Sequence, residues 1–423
     1  MTQHAINVRR NEIHRVQLDK LNRVLSSVKD RPFYRERLQE LCLPIVSLED
    51  FSRVPVLTKT DLVSIKINKL AGCFDLPRSE YCRFHQTSGT RGYPMVVTDT
   101  ADDWRWWLDC WDHVLDAARV TDRDVAMMAF SFGPFIGFWT ANDAMVRRGT
   151  LVIPGGGMSS ETRLSVLIDQ QCSVLCCTPT YALYLASVAS RSRQDLRQSH
   201  VSRIIVAGEP GGSIPSVRAR IEEAWDAEVI DHAGGSEIGA WGFGSPDGKG
   251  LHVIETEFIA EVINFDNDEI AGVSVADGDV GELVLTNLGR FGGPAIRYRT
   301  GDVVKRHRDH DYPSPFAWLD GGVIGRADDM VVVRGVNIFP SSIEAIIREF
   351  EPDAEFRITI TRSNEMDEVV VELETEQTRA EEVAMSLQKR LTMRIEFVSV
   401  AKNSLPRFES KAKRVVDRRE LPS

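Results

Sequence analysis

The chain has 423 residues, more than a single compact core usually contains, so its length predicts two domains. Its hydrophobic fraction of 43% is ordinary for a globular protein. A formal net charge of −11 argues against a protein that binds nucleic acid or an anionic membrane surface. The sequence has no run of about 18 apolar residues, as a transmembrane helix would need, and no apolar signal-peptide segment near its start. It therefore predicts a soluble cytoplasmic protein.

Seven cysteines, all within the first 177 residues, argue against a disulfide-stabilised fold. Their number is odd, and their spacings include neither CxxC nor another framework pattern. Cys176 and Cys177 lie in the apolar run SVLCCTPTY, where free cysteines usually behave as small buried hydrophobic side chains. We therefore expect buried, unpaired thiols there.

The predicted elements begin with a charged helical segment over residues 7–41. Apolar runs then alternate with helix-like stretches, and four of these runs predict buried strands: VAMMAF (125–130), TLVIP (150–154), SVLCCT (173–178) and RIIVAG (203–208). This alternation is typical of a parallel sheet covered by helices. From about residue 250 the sequence becomes rich in β-type residues separated by turns, which predicts a smaller barrel-like or mixed subdomain.

The clearest helix start lies near the C-terminus. Pro340 and Ser341 precede the run IEAIIREF, and Ser341 begins the Ser-x-x-Glu spacing of a capping box. The apolar residues of the run repeat at i, i+3, i+4 and i+7, which is typical of one buried helix face: Ile343, Ile346, Ile347 and Phe350.

A strand at 369–375, a helix at 381–391 and a strand at 395–400 follow this helix, which is an α+β pattern. The chain contains no internal repeat and no low-complexity tract. We therefore predict an α/β protein with a large N-terminal α/β domain that includes a β-rich subdomain (1–325). A small mobile C-terminal α+β domain (326–423) completes it.

Residues 86–94, QTSGTRGYP, combine hydroxyl side chains with two glycines ahead of an apolar β-type run. A Walker A loop would need GxxxxGK[ST], but Gly89 and Gly92 lie too close together and no GK[ST] follows. What remains is a loop whose hydroxyls and backbone amides could wrap anionic oxygens. On its own, the same composition also fits an ordinary hairpin turn.

Four further segments follow this loop in order. HAGGSEIG is a glycine turn with one carboxylate, Glu237, and YRTGDVV ends a strand run at the acidic turn residue Asp302. GRADDMVVVRGVNIFPSSIE (325–344) begins the last domain, and PRFESKAKRVVDRR (406–419) places lysines near the C-terminus. In spacing and order these segments resemble the adenylate-forming superfamily of acyl-CoA synthetases, and more closely the phenylacetate-CoA ligase family. RPFYRERL, VPVLTKTDL, CCTPTYALYLA and AGEPGG are also similar to segments of that family, so the resemblance covers nearly the whole chain.

The resemblance implies a ligase that joins a carboxylate to ATP, releases pyrophosphate and transfers the acyl group to coenzyme A as a thioester. Two anions must meet in such a reaction, so catalysis depends on positioning and electrostatic stabilisation. ATP, Mg²⁺ and coenzyme A are the implied cofactors and co-substrates, and a homodimer is suggested. Two alternatives stay open: transfer to a carrier-protein pantetheine or an amine, and a nucleotide-binding regulatory protein without catalysis.

The same resemblance implies roles around the nucleotide. Six residues would cradle the β- and γ-phosphates: Thr87, Ser88, Gly89, Thr90, Arg91 and Gly92. Glu237 would hold Mg²⁺, which one carboxylate, phosphate oxygens and waters can bind. Asp302 would accept hydrogen bonds from the ribose hydroxyls, and Arg326 would reach the ribose or the phosphates. The residues that would border the adenine are Gly208, Glu209 and Asp231.

Three C-terminal residues acquire roles in the same way. Lys411 matches the family lysine that approaches the carboxylate and the α-phosphate during adenylation, and the pattern of a small residue before Lys-Ala-x-Arg favours it over Lys413. Asp328 lies where the superfamily turns its small domain between half-reactions, as a hinge residue does. Gly335 would let a pantetheine arm pass.

The implied substrate is an aryl carboxylate such as a benzoate or phenylacetate, while medium aliphatic acids stay open. The pocket residues by resemblance are Phe132, Phe135, Phe138, Tyr181, Ala233 and Gly234. The three phenylalanines could form a slot for a flat ring, or they could equally pack in the core. The sequence departs from the family at Arg91, where a hydroxyl is usual, at Tyr93, where lysine is common, and at Ala233, where an aromatic is expected. His252 has no neighbouring cysteine segment, so we predict no zinc site.

Overall fold

A computed structural model of the chain describes residues 10–64, 66–67, 70–87, 95–265, 271–308, 310, 312, 314–327, 331–333, 336–338, 340–363, 366–391, 395–406 and 414–418. The chain divides into two compact units, residues 1–323 and 324–423. The domain boundary predicted from the sequence, between 325 and 326, lies close to this division. Each unit is described separately below.

The first unit begins with helix α1 (Arg10–Val28), which buries one apolar face including Leu21 and Leu25. The predicted helix over residues 7–41 is too long, because Arg31 precedes Pro32 and adopts an extended conformation that a helix cannot continue. Three short helices follow: α2 (Pro32–Arg35), α3 (Leu48–Phe51) and α4 (Lys59–Ser64).

Two antiparallel hairpins come next, and the second of them leads into a 17-residue helix with a buried face. The hairpins pair β1 (Lys66–Ile67) with β2 (Leu70–Ala71) and β3 (Tyr81–Gln86) with β4 (Val96–Thr100). Helix α5 (Ala101–Ala117) begins at a capping box in which Thr100 and Asp103 exchange side-chain to backbone hydrogen bonds of 3.0 and 3.1 Å. The first turn of the helix is therefore fixed immediately after the end of β4 in the chain.

Five parallel strands form one half of the main sheet, in the order β6-β5-β7-β8-β9. In chain order, the strands and connecting helices are β5 (Val125–Met128), α6 (Trp139–Arg148), β6 (Leu151–Pro154), α7 (Ser160–Asp169), β7 (Val174–Cys177), α8 (Pro179–Arg191), β8 (Arg203–Val206), α9 (Pro215–Trp225) and β9 (Glu228–Gly235). The predicted α/β alternation is confirmed. The expectation that β6 is buried is wrong: Leu151 is 60% exposed, because β6 pairs with β5 alone and forms the edge of the sheet.

Both faces of β5, β7 and β8 are covered, as their continuous apolar sequences predict. Met128 and Cys176 belong to one hydrophobic cluster, and their chain neighbours Met127 and Cys177 belong to another. The two adjacent cysteines therefore point to opposite faces of the sheet. All seven cysteines are free, and burial raises the pKa of the Cys176 thiol well above its ordinary value, which confirms the expected buried thiols in this strand.

The sheet continues beyond β9 with six antiparallel strands, in the order β9-β10-β11-β15-β14-β13-β12. These strands are β10 (Gly239–Gly244), β11 (Gly250–Val253), β12 (Phe258–Ile263), β13 (Val280–Asn287), β14 (Tyr298–His307) and β15 (Trp318–Asp320). The β-rich segment predicted after residue 250 is thus an extension of the main sheet. Among the residues described in either unit, no helix has the length and apolar character needed to cross a membrane.

The second unit is an α+β fold with a sheet in the order β21-β20-β19-β22. Its elements are β16 (Gly325–Arg326), β17 (Val331–Val333), β18 (Val336–Ile338), α10 (Pro340–Phe350), β19 (Phe356–Ser363), β20 (Met366–Leu373), α11 (Gln377–Leu391), β21 (Glu396–Ser399) and β22 (Val415–Asp417). The predicted stripe on α10 is confirmed, since Ile343, Ile346 and Ile347 are buried in its core. Helix α10 begins at Pro340. Ser341 therefore lies inside the first turn, not ahead of it, and proline at the first position starts the helix.

Candidate active site

The carboxyl ends of the parallel strands meet at one edge of the main sheet. The chain passes from β5 to its neighbour β6 on one side and then to β7 on the other, so the direction of winding reverses at β5. Open α/β sheets bind ligands in the crevice at such a switch point. Four segments reach this edge: the three that follow β5, β7 and β8, and the last residues of β9. They carry these predicted site residues: Phe132, Phe135, Phe138, Tyr181, Gly208, Glu209, Ala233 and Gly234.

Glu237 lies in the turn between β9 and β10, and its carboxylate contacts a lysine from a distant part of the chain. Lys59 Nζ is 2.9 Å from Glu237 Oε1, and the glutamate side chain is only 12% exposed. Lys59 is the first residue of α4, whose start is fixed where Thr58 N donates to Asp61 Oδ2 at 2.8 Å. The carboxylate is thus an oxygen ligand already facing a cation.

The backbone of the same turn is held by two side chains, one from the last residue of β13 and one from the segment that follows it. Arg290 Nη1 donates to the carbonyl oxygens of Ser236 and Glu237, each at 3.0 Å. Asn287 Nδ2 donates to the carbonyl oxygen of Ile238, also at 3.0 Å. Three successive carbonyl oxygens of the Glu237 turn therefore accept hydrogen bonds from side chains. The Glu237 carboxylate is the group of this turn that could bind a cation.

Arg290 is itself fully buried beside Asp99 of strand β4. Its Nε donates to Asp99 Oδ1 at 2.8 Å, and Trp107 Nε1 donates to the same oxygen at 3.1 Å. The guanidinium also lies 5.2 Å from the Phe74 ring centre and 5.3 Å from that of Trp107. Burial raises the pKa of Asp99, while the charge of Arg290 opposes that rise.

Thr87, the first residue of the predicted phosphate loop, closes the base of that loop. Thr87 N donates to Met95 O at 2.9 Å, and Met95 N donates to Thr87 Oγ1 at 3.0 Å. Thr87 is buried, so its side chain serves this closure. The other five predicted members of the loop, Ser88, Gly89, Thr90, Arg91 and Gly92, lie outside the described residues.

Gly208 and Glu209 follow strand β8, where the sequence predicted the adenine. Gly208 has φ of +91°, a conformation that glycine adopts without strain. The Glu209 carboxylate accepts hydrogen bonds from Thr180 N at 2.7 Å and from Thr180 Oγ1 at 2.5 Å. This carboxylate stabilises the N-terminus of α8, as acidic groups do, and its predicted position beside the adenine stays a prediction.

Asp231 is a buried carboxyl in the middle of β9. Ser213 Oγ donates to Asp231 Oδ2 at 2.6 Å, and burial raises the pKa of Asp231 to about 6. Gly212 is needed beside it, because a Cβ at that position would lie 2.5 Å from the Asp231 Cγ atom. The neighbouring His232 is neutral at pH 7, since burial lowers its pKa to about 4.

Asp302 lies at a β-bulge in strand β14. The pairing with β13 shifts register between Glu282 and Val284, opposite the bulge. Gly301 has φ of +73°, and Thr300 Oγ1 accepts from Asp302 N at 3.0 Å. Bulges of this kind redirect a side chain next to a site, and Asp302 is half-buried there.

A cavity of about 510 Å³ opens between the ends of β5 and β6, and its lining includes these residues: Ser131, Phe132, Trp139, Asn142, Pro154, Gly156 and Gly157. Phe132 and Trp139 meet edge to face, with ring centres 4.7 Å apart at 81°. Of the six predicted pocket residues, all of which the structure describes, Phe132 alone lines it. Phe138 is buried in the core against Trp111, and Phe135 is 45% exposed.

The remaining pocket predictions have other neighbours in the structure. The Tyr181 hydroxyl accepts from Arg163 Nη1 at 2.7 Å and shares a hydrogen bond with Ser160 Oγ at 2.9 Å, which ties it to α7. Ala233 is half-buried opposite Gly242 in β10, and Gly234 is exposed. The expected slot of three phenylalanine rings is thus reduced to Phe132 in this cavity, and the acid-binding roles of the others stay predictions.

Four residues predicted near the C-terminus belong to the second unit. Arg326 is half-buried in β16. The predicted hinge, pantetheine and lysine positions lie outside the described residues: Asp328, Gly335 and Lys411. In the first unit, His252 is buried and burial lowers its pKa to about 4. Within the described part of the chain, no three histidine, cysteine, aspartate or glutamate side chains cluster as a metal site would require.

Comparisons with known proteins identify similar chains along most of this sequence. A family model described as the AMP-binding enzyme C-terminal domain matches residues 335–419. The chain is 31% identical over 366 residues to the phenylacetate-coenzyme A ligase of Pseudomonas putida, covering 85% of this chain and 81% of the relative. It is 28% identical over 440 residues to the enzyme of the same name from Escherichia coli K12, covering 97% and 96%. The crystal structure of a 2-hydroxyisobutyryl-CoA ligase in the postadenylation state, in complex with R3-HIB-AMP, superposes with a TM-score of 0.87 at 29% identity and covers 97% of this chain and 91% of that one.

Proposed function

The chain belongs to the phenylacetate-coenzyme A ligase family of adenylate-forming proteins, and from this premise we propose that it activates a carboxylic acid with ATP and passes the acyl group to coenzyme A. The first step would give an acyl-adenylate and pyrophosphate, and the second a thioester and AMP. The observation that carries the proposal is the Glu237 turn, with its carboxylate 2.9 Å from Lys59 and its backbone anchored at Arg290.

The donor set of this turn fits Mg²⁺. Glu237 offers one partly buried carboxylate that already faces a cation, which is a common protein contribution to a site completed by phosphate oxygens and waters. When bound, the ion would neutralise charge on the phosphate oxygens as pyrophosphate leaves. Glu237 would orient it, and the Lys59 ammonium would add a second positive charge beside the same phosphates.

Other residues would orient the nucleotide and the acid. The phosphate loop that begins at Thr87 would wrap the β- and γ-phosphates, and Asp302 would accept from the ribose hydroxyls. In the second unit, Arg326 would contact the ribose or phosphates, and Lys411 would donate to the acid carboxylate and the α-phosphate. These contributions are positioning and charge stabilisation, which account for most catalysis of this kind.

We further propose that the acid is an aryl carboxylate. The cavity between the ends of β5 and β6 has the volume of a small-molecule site, and Phe132 and Trp139 present perpendicular ring surfaces to it. Ser131 and Asn142 add polar groups that could contact a ring substituent. The names of the curated relatives support an aryl acid, while the name of the similar solved structure identifies a branched aliphatic acid as the alternative to test.

The test is acid-dependent ATP–pyrophosphate exchange with purified protein across matched aryl and aliphatic carboxylates, followed by product analysis with and without coenzyme A. We expect exchange with an aryl acid, and a coenzyme A thioester only when coenzyme A is present. Exchange that no coenzyme A product follows would overturn the acceptor and favour a carrier-protein pantetheine or an amine. Exchange with aliphatic acids alone would overturn the aryl assignment, and no exchange with any acid would contradict the ligase function.

A further inference from the structure

We propose that Arg290 is a positioning residue for the metal-binding carboxylate, and that with Asp99 and Asn287 it fixes the Glu237 turn to the strand that leaves the phosphate loop. The inference rests on the proposed function in one respect, since it takes Glu237 as the magnesium ligand. It assigns a role to three buried polar residues that are not among the site residues predicted from the sequence.

The contacts of Arg290 connect two separate parts of the first unit. One side of its guanidinium donates to Asp99 Oδ1 at 2.8 Å, and the other donates to the carbonyls of Ser236 and Glu237 at 3.0 Å each. Asn287, three residues earlier in the chain, donates to the next carbonyl, that of Ile238. The main chain on both sides of Glu237 is therefore held by one short segment.

Asp99 links this segment to the phosphate loop. It lies on β4, the strand that begins at Val96, directly after the Thr87–Met95 pair that closes the loop base. The turn that carries Glu237 and the strand that leaves the loop are thus joined through one arginine. A metal ion shared between a carboxylate and phosphates needs a constant distance between the Glu237 turn and the phosphate loop. Residues that bind a metal directly depend on neighbouring residues to hold them in position.

Stability alone is a weak reason for this arrangement. Both Arg290 and Asp99 have fully buried side chains, and burying an ion pair is often no more favourable than packing apolar residues of the same volume. A guanidinium is suited to the observed geometry, since its planar fork donates in several fixed directions at once. Lysine would keep the positive charge beside Asp99 but could not reproduce the fork.

The test is the binding of ATP to Arg290→Lys, measured by isothermal titration calorimetry in excess Mg²⁺ and again in EDTA. In the wild-type protein we expect MgATP to bind more tightly than metal-free ATP. Misplacing a metal ligand by removing its support typically costs 10–100-fold in metal affinity. The quantity compared is the dissociation constant of metal-free ATP divided by that of MgATP. We expect Arg290→Lys to reduce this ratio by about tenfold or more, with the binding of metal-free ATP unchanged.

The matched control is Arg203→Lys, at the amino end of the parallel strand β8 in the same sheet. Arg203 also pairs with a carboxylate, Asp124, and donates to two backbone carbonyls, those of Ala118 and Arg119. Both variants should lower the thermal unfolding midpoint, but only Arg290→Lys should change the ratio of the dissociation constant of metal-free ATP to that of MgATP. An equal ratio in both variants and the wild type would overturn the proposal.

A second variant guards against misfolding of the first. Asn287→Ala removes the hydrogen bond to the Ile238 carbonyl and leaves the Arg290–Asp99 pair intact, so it should reduce the ratio by a smaller factor. Because binding needs no turnover, the two proposals fail separately. A wild-type protein that prefers MgATP but exchanges pyrophosphate with no acid would contradict the ligase function alone, whereas a wild-type protein without that preference would overturn the positioning role.

Discussion

Lys59 Nζ lies 2.9 Å from Glu237 Oε1, so the carboxylate assigned to Mg²⁺ is paired with an ammonium from a different part of the chain. Leu57, two residues before the lysine, hydrogen-bonds to Arg297 and Arg299 through the backbone, which fixes this segment against strand β14. The Lys59 ammonium compensates the negative charge of Glu237, so this carboxylate repels an approaching triphosphate less. Its removal should therefore have an effect opposite in sign to that of Arg290→Lys.

Lys59→Gln is expected to weaken the binding of metal-free ATP by about tenfold, or ~1.4 kcal/mol, because Glu237 would then repel the phosphates without compensation. Binding of MgATP should change less, since the metal ion supplies positive charge at the same carboxylate. The ratio of the two dissociation constants in EDTA and in Mg²⁺, measured by titration calorimetry, should therefore rise. Lys305→Gln is the control, because Lys305 forms a comparable ion pair with Asp320 between β14 and β15. A ratio that falls in Lys59→Gln would contradict this account of the pair.

The pH dependence of stability should depend on Asp231. Its folded-state pKa of about 6 lies above its ordinary value of 3.8, so the folded protein binds more protons than the unfolded chain in that window. Stability contributed by the protonated carboxyl is thus present below pH 4 and is lost as pH rises toward 6. The difference corresponds to ~3 kcal/mol. Asp231→Asn should remove this decline and still accept the Ser213 hydrogen bond.

The measurement is the free energy of unfolding by denaturant between pH 4 and 7 for the wild type and for Asp231→Asn. Asp195→Asn serves as the comparison, since its hydrogen bonds with Arg197 hold the pKa of the Asp195 carboxyl below its ordinary value, so it should leave the slope in this window intact. Parallel pH profiles for the wild type and Asp231→Asn would show that another group controls this range.

The sequence indicates the sheet far better than the site. Strands β5, β7 and β8 are short apolar runs bounded by turns, and burial on both faces follows from that composition. Strand β6 has similar composition, but its edge position depends on strand order, which no local pattern encodes. Helix α10 was predicted through its apolar stripe, while its start was misplaced because proline at the first helical position competes with the serine cap as a signal.

The supports of the Glu237 turn could not be predicted in the same way. Arg290 and Asp99 are 191 residues apart, and isolated arginine and aspartate residues are exposed in most proteins. Lys59 does lie in VPVLTKTDL, a segment whose resemblance to the family was visible, but nothing local identifies its partner. Residues that bind a ligand leave motifs in a sequence, whereas residues that hold those ligands depend on packing between distant segments.

Two phenylalanines of one loop should respond differently to truncation if the cavity between the ends of β5 and β6 binds the acid. Phe132 lines the cavity against Trp139, and Phe135 is not among the residues that line it and is 45% exposed. Phe132→Ala should raise KM for an aryl acid by about tenfold, as lost ring contacts cost on the order of 1–3 kcal/mol, with KM for ATP unchanged. Phe135→Ala should change neither constant. An effect confined to Phe135→Ala would place the acid outside this cavity.

Lys411 is expected to act mainly in the transition state of the adenylation half-reaction. A lysine that donates to the acid carboxylate and the α-phosphate gains most of its interaction energy as charge develops there. Lys411→Ala should therefore reduce kcat for adenylation severely, by about a hundredfold or more, while the dissociation constant for ATP stays near that of the wild type.

Lys413→Ala, two residues along the same basic segment, is the matched control because it alters net charge equally. A Lys413→Ala defect as large as that of Lys411→Ala would assign the effect to the charge of the segment as a whole. Normal turnover in Lys411→Ala would instead mean that the adenylation step proceeds without this lysine.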